Sequence, residues 1–139
     1  AVLNARYLSS KVSKYLPLAY NEPCMHEFVA TVRDLKKSHK IKAYDVGKAL
    51  LDKGFHSPTI YFPLIVEEAL MFEPTETQTV ETLDDLAESI QHIIEELCAP
   101  GVNLTDYPKN LPVGRPNELI PAKHLTVHWG DFELLELTE

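Results

Sequence analysis

The amino-acid sequence predicts an α+β fold, a two-layer sandwich in which a small antiparallel sheet carries helices on one face. Three observations support this prediction. Apolar residues recur at spacings of three and four in three segments, which is typical of amphipathic helices. Short segments rich in β-branched and aromatic residues lie between them, as expected for strands. The 139 residues are 45% apolar and 24% charged, which suits one domain with a sizeable core.

The predicted elements follow in the order helix, strand, helix, strand, strand, helix. They cover residues 3–16, 26–33, 43–51, 59–63, 68–73 and 83–97. Three of these segments stop at a proline, which lacks a backbone donor and restricts the residue before it. In the first strand Phe28, Ala30 and Val32 alternate with polar residues, so we expect one buried face. Both helices that follow a strand can lie on one face of the sheet.

Local signals mark the ends of two helices. Gly54 follows the second helix at the position where a left-handed residue commonly ends a helix. Thr79 is the expected N-cap of the last helix, and acidic residues occupy its first turns, where the helix dipole favours negative charge.

Two regions show no clear helix or strand pattern. Lysines cluster in residues 36–42, where we expect a solvated turn, because the aromatic residues that stack on nucleic-acid bases are absent. Residues from about 100 to 139 are rich in proline, which predicts an irregular C-terminal segment with a candidate last strand at 125–129. The whole chain, residues 1–139, is predicted to be a single domain.

Charge and cysteine content exclude some functions. The net charge of −8 argues against general nucleic-acid binding through phosphates. Residues 1–60 hold ten Lys and Arg against five Asp and Glu, whereas residues 61–139 hold three against sixteen. This polarity either steers a partner or marks two solvated faces. With two cysteines and no apolar run near the roughly 20 residues of a membrane span, we expect free thiols in the cytoplasm and no membrane contact.

The sequence does not predict a metal or nucleotide site. Six histidines are present: His26, His39, His56, His92, His124 and His128. They lie on different elements, except that His124 and His128 are four apart in the candidate last strand, where side chains at that spacing are well separated. The glycines form neither a phosphate-binding loop nor a dinucleotide fingerprint, and no serine elbow is present.

Two short segments have residues suited to acid–base chemistry. The segment 54–59 (Gly-Phe-His-Ser-Pro-Thr) holds His56 in a turn between a helix and a strand. The segment 73–76 (Glu-Pro-Thr-Glu) places two carboxylates and a hydroxyl directly before the last helix. A histidine near loop carboxylates can move protons or polarise a ligand. Ordinary turn chemistry explains the same residues, and the residues alone leave both interpretations open.

Several motifs of this chain recur in the same order in a known family. They are HEF from His26, LKK from Leu35, DVGK from Asp45, GFHSPT from Gly54 and LMFEPTE from Leu70. With NARYL from Asn4 and PVGR from Pro112, the likeness covers most of residues 1–129. The chain resembles the C-terminal region of glycine dehydrogenase (decarboxylating), the P-protein of the glycine cleavage system, in its two-subunit form, where this region belongs to subunit 2.

The resemblance implies the small C-terminal domain of a fold-type I pyridoxal-phosphate enzyme. Such enzymes hold the cofactor as a Schiff base on a lysine of the large domain, where the ring is the electron sink. That lysine is expected upstream of Ala1, so this fragment alone is expected to be inactive. In the complete enzyme glycine loses its carboxylate as CO2, and the aminomethyl group passes to the lipoyl arm of H-protein. The implied partners are subunit 1, lipoylated H-protein and the substrate glycine.

The resemblance also implies which side chains line the active site. The candidates are His26, His56, Thr59, Glu73, Thr75 and Glu76. In this hypothesis the domain closes over the cofactor site of the large domain and presents His26 and the 54–59 turn to it. The basic residues 33–42 are then candidates for contact with an acidic surface of H-protein.

Other classes of function stay open. A stand-alone ligand-binding or regulatory α+β module would suit the same order of elements. An interaction domain could use the acidic face of residues 81–96 or the proline-rich residues 100–121.

Overall fold

The computed structural model describes residues 1–123. The helices and strands are α1 (Val2–Val12), β1 (Phe28–Thr31), α2 (Arg33–His39), α3 (Ala43–Asp52), β2 (Thr59–Ile60), β3 (Ala69–Phe72), α4 (Val80–Leu97) and α5 (Leu119–Lys123). This confirms the predicted α+β class with a small antiparallel sheet. None of the helices in the described residues is both long and apolar enough to cross a membrane.

The three strands form one antiparallel sheet in the order β1-β3-β2. Phe28 of β1 lies opposite Phe72 of β3, and Thr59 of β2 lies opposite Met71. The predicted pairing of the last two strands is correct, but β2 is shorter than the predicted 59–63. The reason is that Tyr61 has a φ of +59°, which turns the chain out of the extended conformation.

The core lies between the sheet and helices α1, α3 and α4. Phe28 and Phe72 stack with their ring centroids 5.1 Å apart, and both are buried. Each of these three helices contributes its apolar stripe to the same cluster: Leu8 and Val12 from α1, Val46 and Leu50 from α3, and Leu83, Ile90, Ile93 and Leu97 from α4. The 3.6-residue periodicity that predicted these helices therefore marks the faces that they bury.

The prediction of one buried face for β1 is wrong, because all four of its residues are buried. The segment around Leu18 forms hydrogen bonds along the outer edge of β1. Ala19 N donates to Val29 O at 2.8 Å, and Thr31 N donates to Pro17 O at 2.9 Å. With β3 on its other side, β1 is hydrogen-bonded along both of its edges although it is the outer strand of the three-stranded sheet.

The solvated turn predicted at residues 36–42 is also wrong, since most of it belongs to helix α2. Leu35 packs partly buried against the core, and the buried Ile41 anchors the far end. Lys40 adopts the left-handed conformation and its N–H donates to Lys36 O at 3.0 Å, which ends the helix. The lysines stay outside, so the solvated character was predicted but the backbone conformation was not.

The two predicted helix ends are confirmed. Gly54 has a φ of +82°, and the N–H groups of Gly54 and Phe55 donate to Leu51 O and Leu50 O at 3.0 and 3.1 Å. This pair of hydrogen bonds is a Schellman motif, which satisfies the last carbonyls of α3. At α4 the hydroxyl of Thr79 accepts a hydrogen bond from Thr82 N at 3.3 Å.

The described part of the C-terminal segment contains a 3₁₀ turn at Leu104–Asp106 and the short helix α5 between irregular stretches. Arg115 joins this segment to the domain: its Nη2 lies 2.8 Å from Asp45 Oδ1, and its Nε donates to Tyr107 O at 2.7 Å. The candidate strand at 125–129 and the residues His124 and His128 lie outside the described residues.

Candidate functional site

A groove of about 610 Å³ opens at the end of the sheet where β3 finishes. One wall is the 54–59 turn, and the other is the segment 73–78 with the first residues of α4. Apolar side chains form its floor: Leu8, Met71, Phe72, Leu83 and Leu86. The two segments that the sequence analysis singled out for acid–base chemistry therefore line the same concave surface.

Close packing against α3 positions the 54–59 turn. A Cβ atom on Gly47 would lie only 2.6 Å from Ser57 Oγ, so any other residue at this position would force the Ser57 hydroxyl to move. Ser57 Oγ in turn donates a hydrogen bond to Pro58 O at 3.0 Å. The turn is thus held by contact with a helix and by the Schellman motif at its start.

An asparagine of α1 positions the segment 73–78. Asn4 Nδ2 donates to Thr75 O at 2.8 Å and to Gln78 O at 3.1 Å. Pro74 is buried, and the hydroxyls of Thr75 and Thr77 are 2.7 Å apart. This wall of the groove is therefore tied to a helix that lies more than seventy residues away in the sequence.

Helices α1 and α4 are also joined by polar side-chain contacts. Tyr7 Oη donates to Asp84 Oδ1 at 2.8 Å, and Lys11 Nζ lies 3.0 Å from the same oxygen. The hydrogen bond from Lys11, followed by that from Tyr7, lowers the pKa of Asp84. The helix pair that carries Asn4 and the start of α4 is thereby held in register.

The structure brings four of the six candidate side chains together. His56, Thr59, Glu73 and Thr75 all line the groove. His56 and Glu73 are exposed on opposite walls of the groove. In the part of the chain that the structure describes, their side chains form no hydrogen bond with each other. The groove therefore offers an imidazole, a carboxylate and hydroxyls to a bound molecule rather than an assembled acid–base pair.

The other two candidates lie outside the groove. The side chain of His26 is 64% exposed, with Nε2 at 3.7 Å from Glu27 Oε2. It precedes β1, whose first residue pairs with the last residue of β3, so His26 lies at the groove end of the sheet without lining the groove. Glu76 is exposed on the segment 73–78 and is likewise not among the lining residues.

Sequence reasoning missed Asn4 and Gly47 as residues that position the groove. Both belong to motifs that it had noted, NARYL and DVGK, but nothing in either motif indicates a long-range contact. Within residues 1–123, no group of three or more His, Cys, Asp or Glu side chains is arranged to hold a metal ion.

Comparisons with known proteins match this chain to one family. Residues 1–111 match a family model described as "Glycine dehydrogenase, C-terminal domain". Proteins named "Probable glycine dehydrogenase (decarboxylating) subunit 2" are similar over 129 residues: that of Thermotoga maritima is 46% identical and that of Caldanaerobacter subterraneus subsp. tengcongensis is 49% identical. The protein of the same name from Rhodopirellula baltica is 46% identical over 132 residues.

These matches cover the chain almost completely but the relatives only in part. The aligned residues make up 93 or 94% of this chain and 26 or 27% of each relative. The chain thus spans about a quarter of the length of the curated relatives. The matched region includes both walls of the groove, and the resemblance inferred from the motifs is confirmed.

Proposed function

Because the chain belongs to the glycine dehydrogenase (decarboxylating) subunit 2 family, in its C-terminal domain, we propose that it serves as the C-terminal part of a pyridoxal-phosphate-dependent glycine dehydrogenase. The complete enzyme would decarboxylate glycine and pass the aminomethyl group to the lipoyl arm of H-protein. The observation that carries the proposal for this domain is the convergence of the 54–59 turn and the segment 73–78 on one groove. We propose that this groove faces the reaction site of the complete subunit.

The groove does not fit pyridoxal phosphate as a complete binding site. Its described lining contains no lysine to bond the cofactor and no lysine or arginine to neutralise the phosphate. It offers hydroxyl groups, one carboxylate and one imidazole above an apolar floor. We therefore assign the cofactor lysine and the phosphate contacts to the part of the subunit that precedes this domain, and we propose that this chain alone is inactive.

We propose that the groove residues bind and orient rather than carry the main chemical step. For a molecule held between the walls, the exposed imidazole can donate or accept a hydrogen bond, and the exposed carboxylate can accept one. Thr59 and Thr75 add hydroxyls to the two walls. The apolar floor would exclude water once the preceding part of the subunit covers the opening. His26 and Glu76 would contact that part at the rim.

The family names imply partners for the complete enzyme. Since the relatives are called subunit 2, we propose a subunit 1, and with it lipoylated H-protein and the substrate glycine, all in the cytoplasm. The exposed basic side chains of α2, Arg33 and Lys37, are candidates for steering an acidic surface of H-protein. Such steering would weaken as salt is added, because screening shortens the range of charge interactions.

The proposal is tested by replacing His56 in the complete enzyme, reconstituted from both subunits and H-protein. For His56→Ala we expect at least about a tenfold lower rate of glycine decarboxylation, as for the loss of one hydrogen bond near the reacting groups. His92→Ala is the matched control, because His92 is an exposed histidine of α4 that does not line the groove. Bound cofactor is measured in both variants by its absorbance.

Equal rates for His56→Ala and His92→Ala at equal cofactor content would remove His56 from the proposed site. The assignment of the cofactor lysine to the preceding part of the subunit is tested with this chain alone. When pyridoxal phosphate and glycine are added to it, we expect no release of CO2. Catalytic release of CO2 by residues 1–139 alone would contradict the assignment of the cofactor lysine to the preceding part.

A further inference from the structure

We propose that residues 61–66, called here the apolar loop, form a docking surface for the part of subunit 2 that precedes this domain. The loop is the first part of the connection between β2 and β3; it reads Tyr-Phe-Pro-Leu-Ile-Val, without a charged residue, and Glu67 and Glu68 follow it. It lies at the end of the sheet opposite the groove, because β3 runs from the loop toward the segment 73–78. The inference rests on family membership and not on the proposed role of the groove.

The tip of the apolar loop is far more exposed than aliphatic residues usually are. Leu64 and Ile65 are each 86% exposed, and Phe62 is 52% exposed. Single exposed apolar residues are ordinary, but a contiguous group marks an interaction site. Four neighbouring apolar side chains, with Tyr61 included, meet solvent here in one six-residue stretch.

The base of the apolar loop is held firmly, so its exposed shape is a property of the fold. Tyr61 N donates to Ala69 O at 2.9 Å, which closes the loop. The adjoining Glu68 is only 6% exposed. Its carboxylate accepts a hydrogen bond from Ala43 N at 2.8 Å and lies 2.8 Å from Lys36 Nζ. A buried carboxylate with two partners anchors one side of the loop to helices α2 and α3.

The length of the relatives supports the choice of this occupant. Roughly three quarters of each subunit 2 relative lies outside the aligned region, and the family model describes that region as the C-terminal domain. A polypeptide of that size is available to cover the loop in every molecule. The uncharged, aliphatic tip suits such a permanent contact, since permanent interfaces are more apolar at their centre than transient ones.

The first test measures the accessibility of the loop in full-length subunit 2 assembled with subunit 1. Ile65→Cys is compared with Lys37→Cys, because Lys37 is an exposed residue of α2. Each protein is treated with a maleimide, and labelling is quantified by mass spectrometry on the peptide that carries the new cysteine. We expect labelling at position 65 to be at least about tenfold slower in the native assembly and equal after unfolding. Equal rates in the native assembly would overturn the proposal.

The second test identifies the occupant. A photo-crosslinking phenylalanine analogue is placed at position 65 of full-length subunit 2, and the crosslinked peptides are identified after irradiation. We expect crosslinks within the same polypeptide, to residues that precede this domain. Crosslinks to subunit 1, to a second copy of subunit 2 or to residues 124–139 would assign the surface to another occupant and overturn the proposal. Neither test uses activity, so failure here and failure at His56 are distinguishable.

Discussion

The groove walls and the segment 104–115 are both irregular chain, yet different forces hold them in place. Neutral hydrogen bonds and close packing hold the groove walls: Asn4 binds two carbonyls of the segment 73–78, and Gly47 admits the 54–59 turn. None of these positioning contacts involves a charged group.

Charged side chains hold the segment 104–115. Arg115 pairs with Asp45, whose side chain is only 7% exposed. The Cζ atom of Arg115 also lies 5.0 Å from the centroid of the Tyr44 ring. The carboxylate of Asp52 accepts hydrogen bonds from the backbone N–H groups of Lys109 and Asn110, at 2.6 and 2.8 Å. The segment thus depends on ionisable groups for its position.

The neutral contacts of the groove walls and the charged contacts of the segment 104–115 should respond to different changes. Neutral, tightly packed contacts respond to side-chain shape, whereas charged contacts respond to the removal of a partner and to pH. We therefore expect the direct contacts of the 54–59 turn and the segment 73–78 to tolerate changes of salt and pH that weaken the attachment of the segment 104–115. The four predictions that follow test this contrast, from the largest expected effect to the smallest.

Replacing Arg115 should be the most damaging of these changes. Arg115→Ala leaves Asp45 buried without its cation, and breaking a buried pair in this way costs about 3 kcal/mol of unfolding free energy. Arg33→Ala is the control, since Arg33 is half exposed in its pair with Asp34 and should cost less than about 0.5 kcal/mol. Both values come from urea unfolding of the chain. A loss of under about 1 kcal/mol for Arg115→Ala would show that the charged contact does not hold the segment.

Gly47→Ala should destabilise the chain although alanine favours helices. In an open helix the change from glycine to alanine would raise the free energy of unfolding by about 1 kcal/mol. Here the new Cβ meets Ser57 Oγ, which causes overpacking and displaces the hydroxyl from its hydrogen bond to Pro58 O. Together these effects should lower the free energy of unfolding by a net amount of about 1.5 kcal/mol. In a Ser57→Ala background the nearest atoms to the new Cβ are at ordinary contact distance, so the same substitution should raise the free energy of unfolding by up to about 1 kcal/mol. If the loss is equal in both backgrounds, the contact with Ser57 is not its cause.

Asn4→Ala should loosen one wall of the groove. The change removes both hydrogen bonds to the segment 73–78 and should cost about 1 kcal/mol, since each bond is partly open to water. Hydrogen exchange of the backbone amides of residues 75–78 should accelerate. Gln91→Ala removes a side-chain bond to Glu95 on the exposed face of α4 and should leave that exchange unchanged. Equal exchange in the two variants would remove Asn4 as the tether.

The smallest expected effect is a dependence of stability on pH at Glu96. The hydrogen bond from Tyr107, opposed by partial burial and reinforced by Lys109, lowers the pKa of Glu96 below its ordinary 4.5. The folded chain therefore keeps this carboxylate ionised at a pH where the unfolded chain protonates it. The resulting stability is present above pH 4.5 and is lost as the pH falls through the folded pKa.

Glu96→Gln isolates this contribution. At pH 7 the variant should be less stable than the wild-type chain by about 0.5 kcal/mol, because the carboxylate is 40% exposed and solvent screens its interactions. The difference should shrink as the pH falls below 4.5 and through the folded pKa, as measured by urea unfolding at each pH. A difference that stays constant down to pH 3 would contradict the assigned cause, and Glu88→Gln on the exposed face of α4 serves as the control.

Local patterns predicted α3 and α4 and their ends well, whereas α1 ends at Val12 and not at the predicted residue 16. The spacing of apolar residues identified α4 and its buried face, and Thr79 caps it as expected. Gly54 ends α3 in the left-handed conformation. The failures were at β1, where alternation suggested one buried face, and at α2, where lysines hid a short helix. In both places contacts beyond the local pattern accompany the observed structure. Leu18 pairs with Ala30 of β1, and Leu35 of α2 packs against the core.

The candidate site shows the same division. The sequence identified the two segments that line the groove, and four of its six candidate residues lie there. It could not separate His56 from His26, since both are histidines beside a strand. Only the turn of the backbone after α3 places one of them in the groove and leaves the other at the rim.

By itself the sequence determined the fold class, the extents of α3 and α4 and the family, because these depend on periodicity, capping residues and motifs that act within a few positions along the chain. The tertiary structure alone decided which residues hold the groove open and which hold the C-terminal segment down. Asn4 and Thr75 are 71 positions apart, and no local pattern links them. Such contacts form only when packing of the core brings distant backbone together, so their energies depend on the whole fold rather than on any one segment.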